Sequence, residues 1–209
     1  MDELVRLGAS EVPAGRAFAH PVCTVVDLVS IREMAATLRQ ILDGRSTRSL
    51  PAQPLTLEAG DETHPHRVIV CDAAALRKAS MPSFVGFFAI KRRGLDHAPL
   101  TETDDQLVTE LPQHPGILSY SSIARADGNW GNLIILRSSA DGERWRDGER
   151  HAWAARVLAP AHYSSVRLHS GQFAGGLPSG REPVLLRTRY WDYEASPAWR
   201  AERALGETT

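Results

Sequence analysis

The sequence predicts an α+β fold organised around an antiparallel sheet, and three observations carry that expectation. Within Ile117–Ser138, two β-rich runs flank Asp127-Gly128, a dipeptide that signals a hairpin. Amphipathic helical patterns stand on either side of this hairpin, at Thr101–Leu111 and Glu143–Leu158. Strand-like runs at Phe84–Arg93 and Tyr163–His169 then complete the order strand, helix, strand, strand, helix, strand.

Bulk composition narrows the class. The chain has 209 residues, 43% of them hydrophobic and 23% charged, which suits one large or two small globular domains. A core of that size needs neither metal nor disulfide. The formal net charge of −1 argues against nucleic acid as a partner, and the run Lys91-Arg92-Arg93 is too short to reverse this. No stretch approaches the ~20 apolar residues of a membrane span. The acidic N-terminus lacks the apolar segment of a secretory signal, so the expected location is the cytoplasm, with no membrane partner. Cys23 and Cys71 are expected as buried thiols.

Taken in order, residues 1–19 read as a loose arm. The β-branched run His20–Val29 reads as a strand. Ser30 with Glu33 forms a capping box, and Ile31, Met34, Leu38, Ile41 and Leu42 share one face of a helix that Gly44 ends. Arg45–Pro65 is turn-rich and reads mostly as loop, with a short strand available at Leu55–Glu58. His64-Pro65-His66 lacks a third metal ligand. Arg67–Asp72 is a strand, followed by one helical turn at Ala73–Lys78. Phe84–Arg93 is apolar on both faces, as a central strand should be, and Gly86 within it admits a close neighbour. Beyond the hairpin and the helix at Glu143–Leu158, Tyr163–His169 places Val166 and Leu168 on one side and Arg167 and His169 on the other. The loop Gly171–Arg181 lacks the strand-then-helix setting of a phosphate loop. Val184–Tyr193 is a long strand with arginines and aromatics on one face, and residues 197–205 read as a short helix.

A two-residue turn at Asp127-Gly128 would set Arg125 opposite Trp130 and Ser121 opposite Ile134. One face then carries Ser119, Ser121, Ile123, Arg125, Trp130, Asn132, Ile134 and Leu136, while Tyr120 lies on the other. That mixture suits a partly wet pocket, and it also suits a half-exposed face or an interface.

The run His114-Pro115-Gly116-Ile117-Leu118-Ser119-Tyr120, followed by a hairpin and a helix containing Trp and His, resembles the dimeric α+β barrel superfamily. Its units are ferredoxin-like, and the nearest likeness is to antibiotic-biosynthesis-monooxygenase-like proteins. The resemblance implies two sheets, from two subunits or two fused repeats, packed into a barrel around a small organic ligand or haem. Residues 81–209 would be the ferredoxin-like domain with an extra C-terminal strand. Residues 1–80 would be an extension or a degenerate copy of the same unit, with a homodimer as the alternative way to cover the sheet. Some members oxidise quinol-type substrates without a cofactor through an Asn, a Trp and a Tyr. Haem-degrading relatives use an Asn, a Trp and a His on the second helix. By residue type and element this implies a catalytic set of Asn132, Trp130 and His151. Asn132 is not on the first strand, where the haem pattern places its amide, so no cofactor is expected, with haem as the minor alternative.

Two function classes follow. One is a monooxygenase-like protein that binds and oxidises an aromatic or polyketide-like molecule. Asn132 and Trp130 would orient it, Arg125 or Arg167 would stabilise an anion, and His151 or His169 would move a proton, with Ser121 and Tyr120 completing the ligand site. The other is a non-catalytic binding or interaction protein of the same fold. A serine hydrolase is disfavoured, because no G-x-S-x-G elbow is present.

Overall fold

The computed structural model describes residues 4–44, 54–60 and 65–206. Its elements are β1 (Val5–Leu7), α1 (Pro21–Gly44), β2 (Leu55–Gly60), β3 (Pro65–Val70), α2 (Ala73–Lys78), β4 (Ser83–Lys91), α3 (Ala98–Glu110), β5 (Ile117–Ala124), β6 (Trp130–Leu136), α4 (Ser139–Arg146), α5 (Glu149–Trp153), α6 (Ala159–His162), β7 (Tyr163–Gln172), β8 (Val184–Asp192) and β9 (Trp199–Ala204). A π-helical turn at Ala154–Leu158 links α5 to α6. All strands join one sheet in the order β1-β9-β8-β7-β4-β6-β5-β3-β2, and the fold is α+β.

The centre of the sheet has the expected topology. The strands of the βαββαβ unit stand in the order β7-β4-β6-β5, with its first and third strands side by side. β4 runs antiparallel to both β6 and β7, and β5 antiparallel to β6. β3 pairs antiparallel with β5 rather than with β4, its neighbour in sequence.

Helices cover both sides of this centre. The crossover helix α3 and α4 pack on one side, where Leu111, Ile117, Tyr120, Ile134, Leu136 and Trp145 form a core cluster with Val108 against it. On the other side lies α1, whose Ile31, Met34, Leu38 and Leu42 meet Val68, Phe84, Phe88, Leu118, Leu133 and Ile135. In a barrel of two sheets this second face would meet the other sheet. Here the chain's own helix occupies it. Gly86 lets α1 approach, since a Cβ there would stand 2.9 Å from Ile31 Cδ1.

Three local expectations are overturned. His20–Val29 is helix rather than strand, and α1 starts at Pro21 instead of Ser30. Thr24, Asp27, Ile31 and Met34 recur at helical spacing and are buried, so packing overrides the β-propensity of the valines, which face outward. Pro21 suits the first turn, and the Val22 N–H donates to His20 Nδ1 at 3.0 Å. Residues 197–205 form β9 rather than a helix, and the N-terminal arm contributes β1, which pairs parallel to β9. Both are held by Arg203, which is fully buried and donates to the carbonyls of Ala9, Glu11 and Ala19 at 2.8, 2.8 and 3.0 Å. Neither cysteine forms a disulfide. Cys23 and Cys71 are half-buried free thiols, and burial pushes the Cys71 thiol up to about 12. His64 lies outside the described residues. Its neighbour His66 is buried in β3.

Candidate functional site

The hairpin decides which residues meet. Its connection has three residues rather than two. Arg125 N–H donates to Asn129 O at 2.9 Å, and Gly128 takes a φ of +77° at the left-handed position. Asn132 therefore faces Ser122, and Tyr120 faces Ile134. One extra loop residue moves the whole of β5 by one position against β6 and exchanges its faces. The expected grouping of Ser121 and Arg125 with Trp130 and Asn132 is thus corrected. Tyr120 joins Asn132 and Trp130, while Ser121, Arg125, Arg167 and His169 lie on the α1 side.

On the crossover-helix side a polar line forms among aromatic rings. The Asn132 side-chain amide donates to Tyr120 Oη at 2.6 Å and to Ser122 Oγ at 3.2 Å. Tyr120 donates to Asp104 Oδ1 of α3 at 2.5 Å, and Arg67 of β3 pairs with the other Asp104 oxygen. Burial and the adjacent Asp104 push the Tyr120 phenol far above its ordinary value, so it stays a donor. Phe87, opposite Asn132 on β4, makes an edge contact with Tyr163. Tyr120 stands edge-on to Trp145, with ring centroids 6.3 Å apart, and Trp145 meets His151 at 4.7 Å. Burial lowers the His151 imidazole, which is therefore neutral at pH 7. The buried nitrogens Trp145 Nε1 and His151 Nδ1 have no hydrogen-bond partner among the described residues. Trp130 sits at the strand end on the same side and is 38% exposed.

The α1 side holds a second polar cluster of different character. Asp27 of α1 is fully buried and receives Arg167 Nε at 2.5 Å and Arg167 Nη2 at 2.9 Å. His169 Nε2 lies 2.9 Å from Asp27 Oδ2, and its Nδ1 lies 2.8 Å from Thr188 Oγ1. Arg125 adds a longer contact to Asp27 at 3.4 Å and rests over the Phe88 ring. Burial alone would raise the Asp27 carboxyl. Hydrogen bonds from His169 and Arg167, together with the Arg167 charge, outweigh it and hold the group below its usual value. Burial keeps His169 neutral, so its Nε2–H donates to Asp27 and its Nδ1 accepts from Thr188. Every strong acceptor of Asp27 is engaged inside the core. The buried Ser121 Oγ, also on this side, has no hydrogen-bond partner among the described residues.

Two surface cavities stand elsewhere. One of 320 Å³ lies between Gly116 and Arg144, and one of 410 Å³ lies at the C-terminal end of β4. Neither is lined by Trp130 or Asn132, so the pocket expected beside those residues is not formed by either cavity. Asp27, Asp104 and Arg67 were not identified as site residues from sequence, and Trp145 was legible only as a buried tryptophan of the helix at Glu143–Leu158. Of the first three, Asp27 left a signal as a carboxylate in phase with Thr24, Ile31 and Met34.

Fold and site together define an α+β protein with a nine-stranded sheet, helix-covered at its centre on both sides, and a polar-aromatic line under its crossover helices. No protein family profile matches the chain, and no curated protein matches its sequence. Among solved structures, protein SO0527 from Shewanella oneidensis is 11% identical, with a TM-score of 0.40 over 46% of this chain and 93% of that one. Protein PA3566 from Pseudomonas aeruginosa is 18% identical, with a TM-score of 0.39 over 46% and 95%. A mutant of SnoaB, a cofactor-independent oxygenase from Streptomyces nogalater, is 14% identical, with a TM-score of 0.35 over 46% and 93%. No described helix is long and apolar enough to cross a membrane.

Proposed function

We propose that the protein binds a small, flat, hydroxylated aromatic molecule between the sheet and its crossover helices and oxidises it with dioxygen, without a cofactor. The observation that carries this reading is the Asn132–Tyr120 hydrogen bond, which brings an amide and a phenol together among aromatic rings. Asn132 and Tyr120 would orient a ligand hydroxyl, and Phe87, Trp130 and Trp145 would supply apolar walls. The neutral His151, in ring contact with Trp145, would accept a proton directly from a ligand hydroxyl lying along these rings. SnoaB, the neighbour described as a cofactor-independent oxygenase, is consistent with this reading but adds no weight at its low similarity.

A second reading, binding without chemistry, is favoured by the closed state of the line. The Asn132 amide already donates to two internal partners, and a ligand must displace at least one of them. Oxygen uptake separates the two. Purified protein with a soluble naphthoquinol is expected to consume oxygen faster than buffer, and Asn132→Ala and His151→Ala should abolish the excess. Saturable binding without oxygen uptake would establish the second reading, and neither would end both.

A further inference from the structure

We propose that the 410 Å³ cavity at the C-terminal end of β4 is a binding site for an organic phosphate, separate from the polar-aromatic line. The chain as a whole is close to neutral, with 24 basic and 25 acidic residues, yet Lys91, Arg92 and Arg93 converge on this one cavity. Its single lining carboxylate is Glu194, which leaves a local excess of positive charge.

The cations are held differently. Arg92 is fixed, with Nη2 donating to Tyr193 O at 2.8 Å and to Pro160 O at 3.4 Å, so it anchors the wall between β8 and α6. The backbone of Lys91 is pinned as well, its N–H donating to Asn129 Oδ1 at 2.9 Å. The Lys91 ammonium and the Arg93 guanidinium form no ion pair among the described residues, so they are available to an anion. Ile90 and Leu95, the latter 45% exposed, give the same cavity an apolar side. Anchored backbone, two free cations and an apolar wall match a phosphate head carrying a hydrophobic body.

Ile90 pairs with Ser165, and Ser165 with Asp192, at this end of the sheet. A second basic pair, Arg187 and Arg189 of β8, is already paired with Glu202 and does not line the cavity.

The test is titration of the full chain with phenyl phosphate and with inorganic phosphate, followed by calorimetry and by chemical shifts of the Lys91 and Ser164 amides. Phenyl phosphate is expected to saturate in the micromolar to millimolar range and to bind more tightly than inorganic phosphate. Lys91→Ala and Arg93→Ala should each weaken it about tenfold. Leu95→Ala should weaken phenyl phosphate alone, and Glu194→Gln should tighten both. Thermal melting of each variant, expected to be unchanged, separates lost binding from lost fold. No saturation at millimolar phenyl phosphate would overturn the proposal. So would a Lys91→Ala, Arg93→Ala double variant that binds like the parent, or shifts confined to Arg187 and Arg189.

Discussion

The two sides of the central sheet carry comparable numbers of polar side chains and use them in opposite ways. Under α1, Asp27, Arg167, His169 and Thr188 form a closed set in which each partner satisfies another and almost nothing reaches solvent. Under α3, the line from Asn132 through Tyr120 and Asp104 ends at Arg67, whose side chain is 21% exposed, and two buried ring nitrogens nearby are left unpaired. The difference teaches that buried charge is not a sign of a reaction site. The α1 cluster pins a helix over its side of the sheet, whereas the α3 line keeps unspent polar groups beside aromatic walls.

The sharpest way to break this comparison is to remove one charge from the closed set. Asp27→Ala would strand Arg167 in the core and is expected to cost about 3–5 kcal/mol in urea unfolding. A loss below about 1 kcal/mol would mean that water already reaches the cluster. Gly131→Ala tests the same side through packing, since a Cβ there would stand 2.6 Å from Phe88 Cε1. The expected cost is about 1–3 kcal/mol, read from the same unfolding curves.

Acid should open the α1 side in two stages. The His169 imidazole is lowered from 6.5, so the unfolded chain takes up that proton first. Its contribution is present above pH 6.5 and is lost as pH falls toward the folded value. His66, on the same side, is lowered too and adds to this stage, and His151 adds to the same pH window from the other side of the sheet. Asp27 is held below 3.8, so its contribution is present above that pH and is lost only as pH falls through its lower folded value. Unfolding free energy measured from pH 8 to pH 3 should therefore decline below about 6.5. A flat profile down to pH 4 would contradict the neutral, buried state of these histidines. On the other side, Tyr120→Phe is the mildest change, with an expected cost of about 1 kcal/mol, because Asp104 keeps Arg67 as a partner.

The topology was legible in the sequence, because the two-faced apolar run of Phe84–Arg93 and the helical stripes on either side of the hairpin fix which elements exist and in what order. The faces were not. Asp127-Gly128 fits a two-residue turn, and one more loop residue at Ala126 is enough to move Tyr120 from one side to the other. The valines of 20–29 speak for a strand, while the helix there is dictated by contacts of Ile31 and Met34 with strands far along the chain. Trp199–Ala204 lacks strand alternation strong enough to declare itself, and its order comes from pairing with β8 and the arm. His151 and Asn132 were identified by type, and the aromatic chain between them through Trp145 exists only in three dimensions.

The most direct test of the account is ligand binding at the Asn132–Tyr120 line, followed by tryptophan fluorescence during titration with a naphthoquinol under anaerobic conditions. The parent chain is expected to show saturable quenching. Asn132→Ala should lose most of it while its far-UV circular dichroism shows the chain still folded. Equal quenching in the parent and Asn132→Ala would show that the line is packing alone and that the small-molecule reading of this face is wrong.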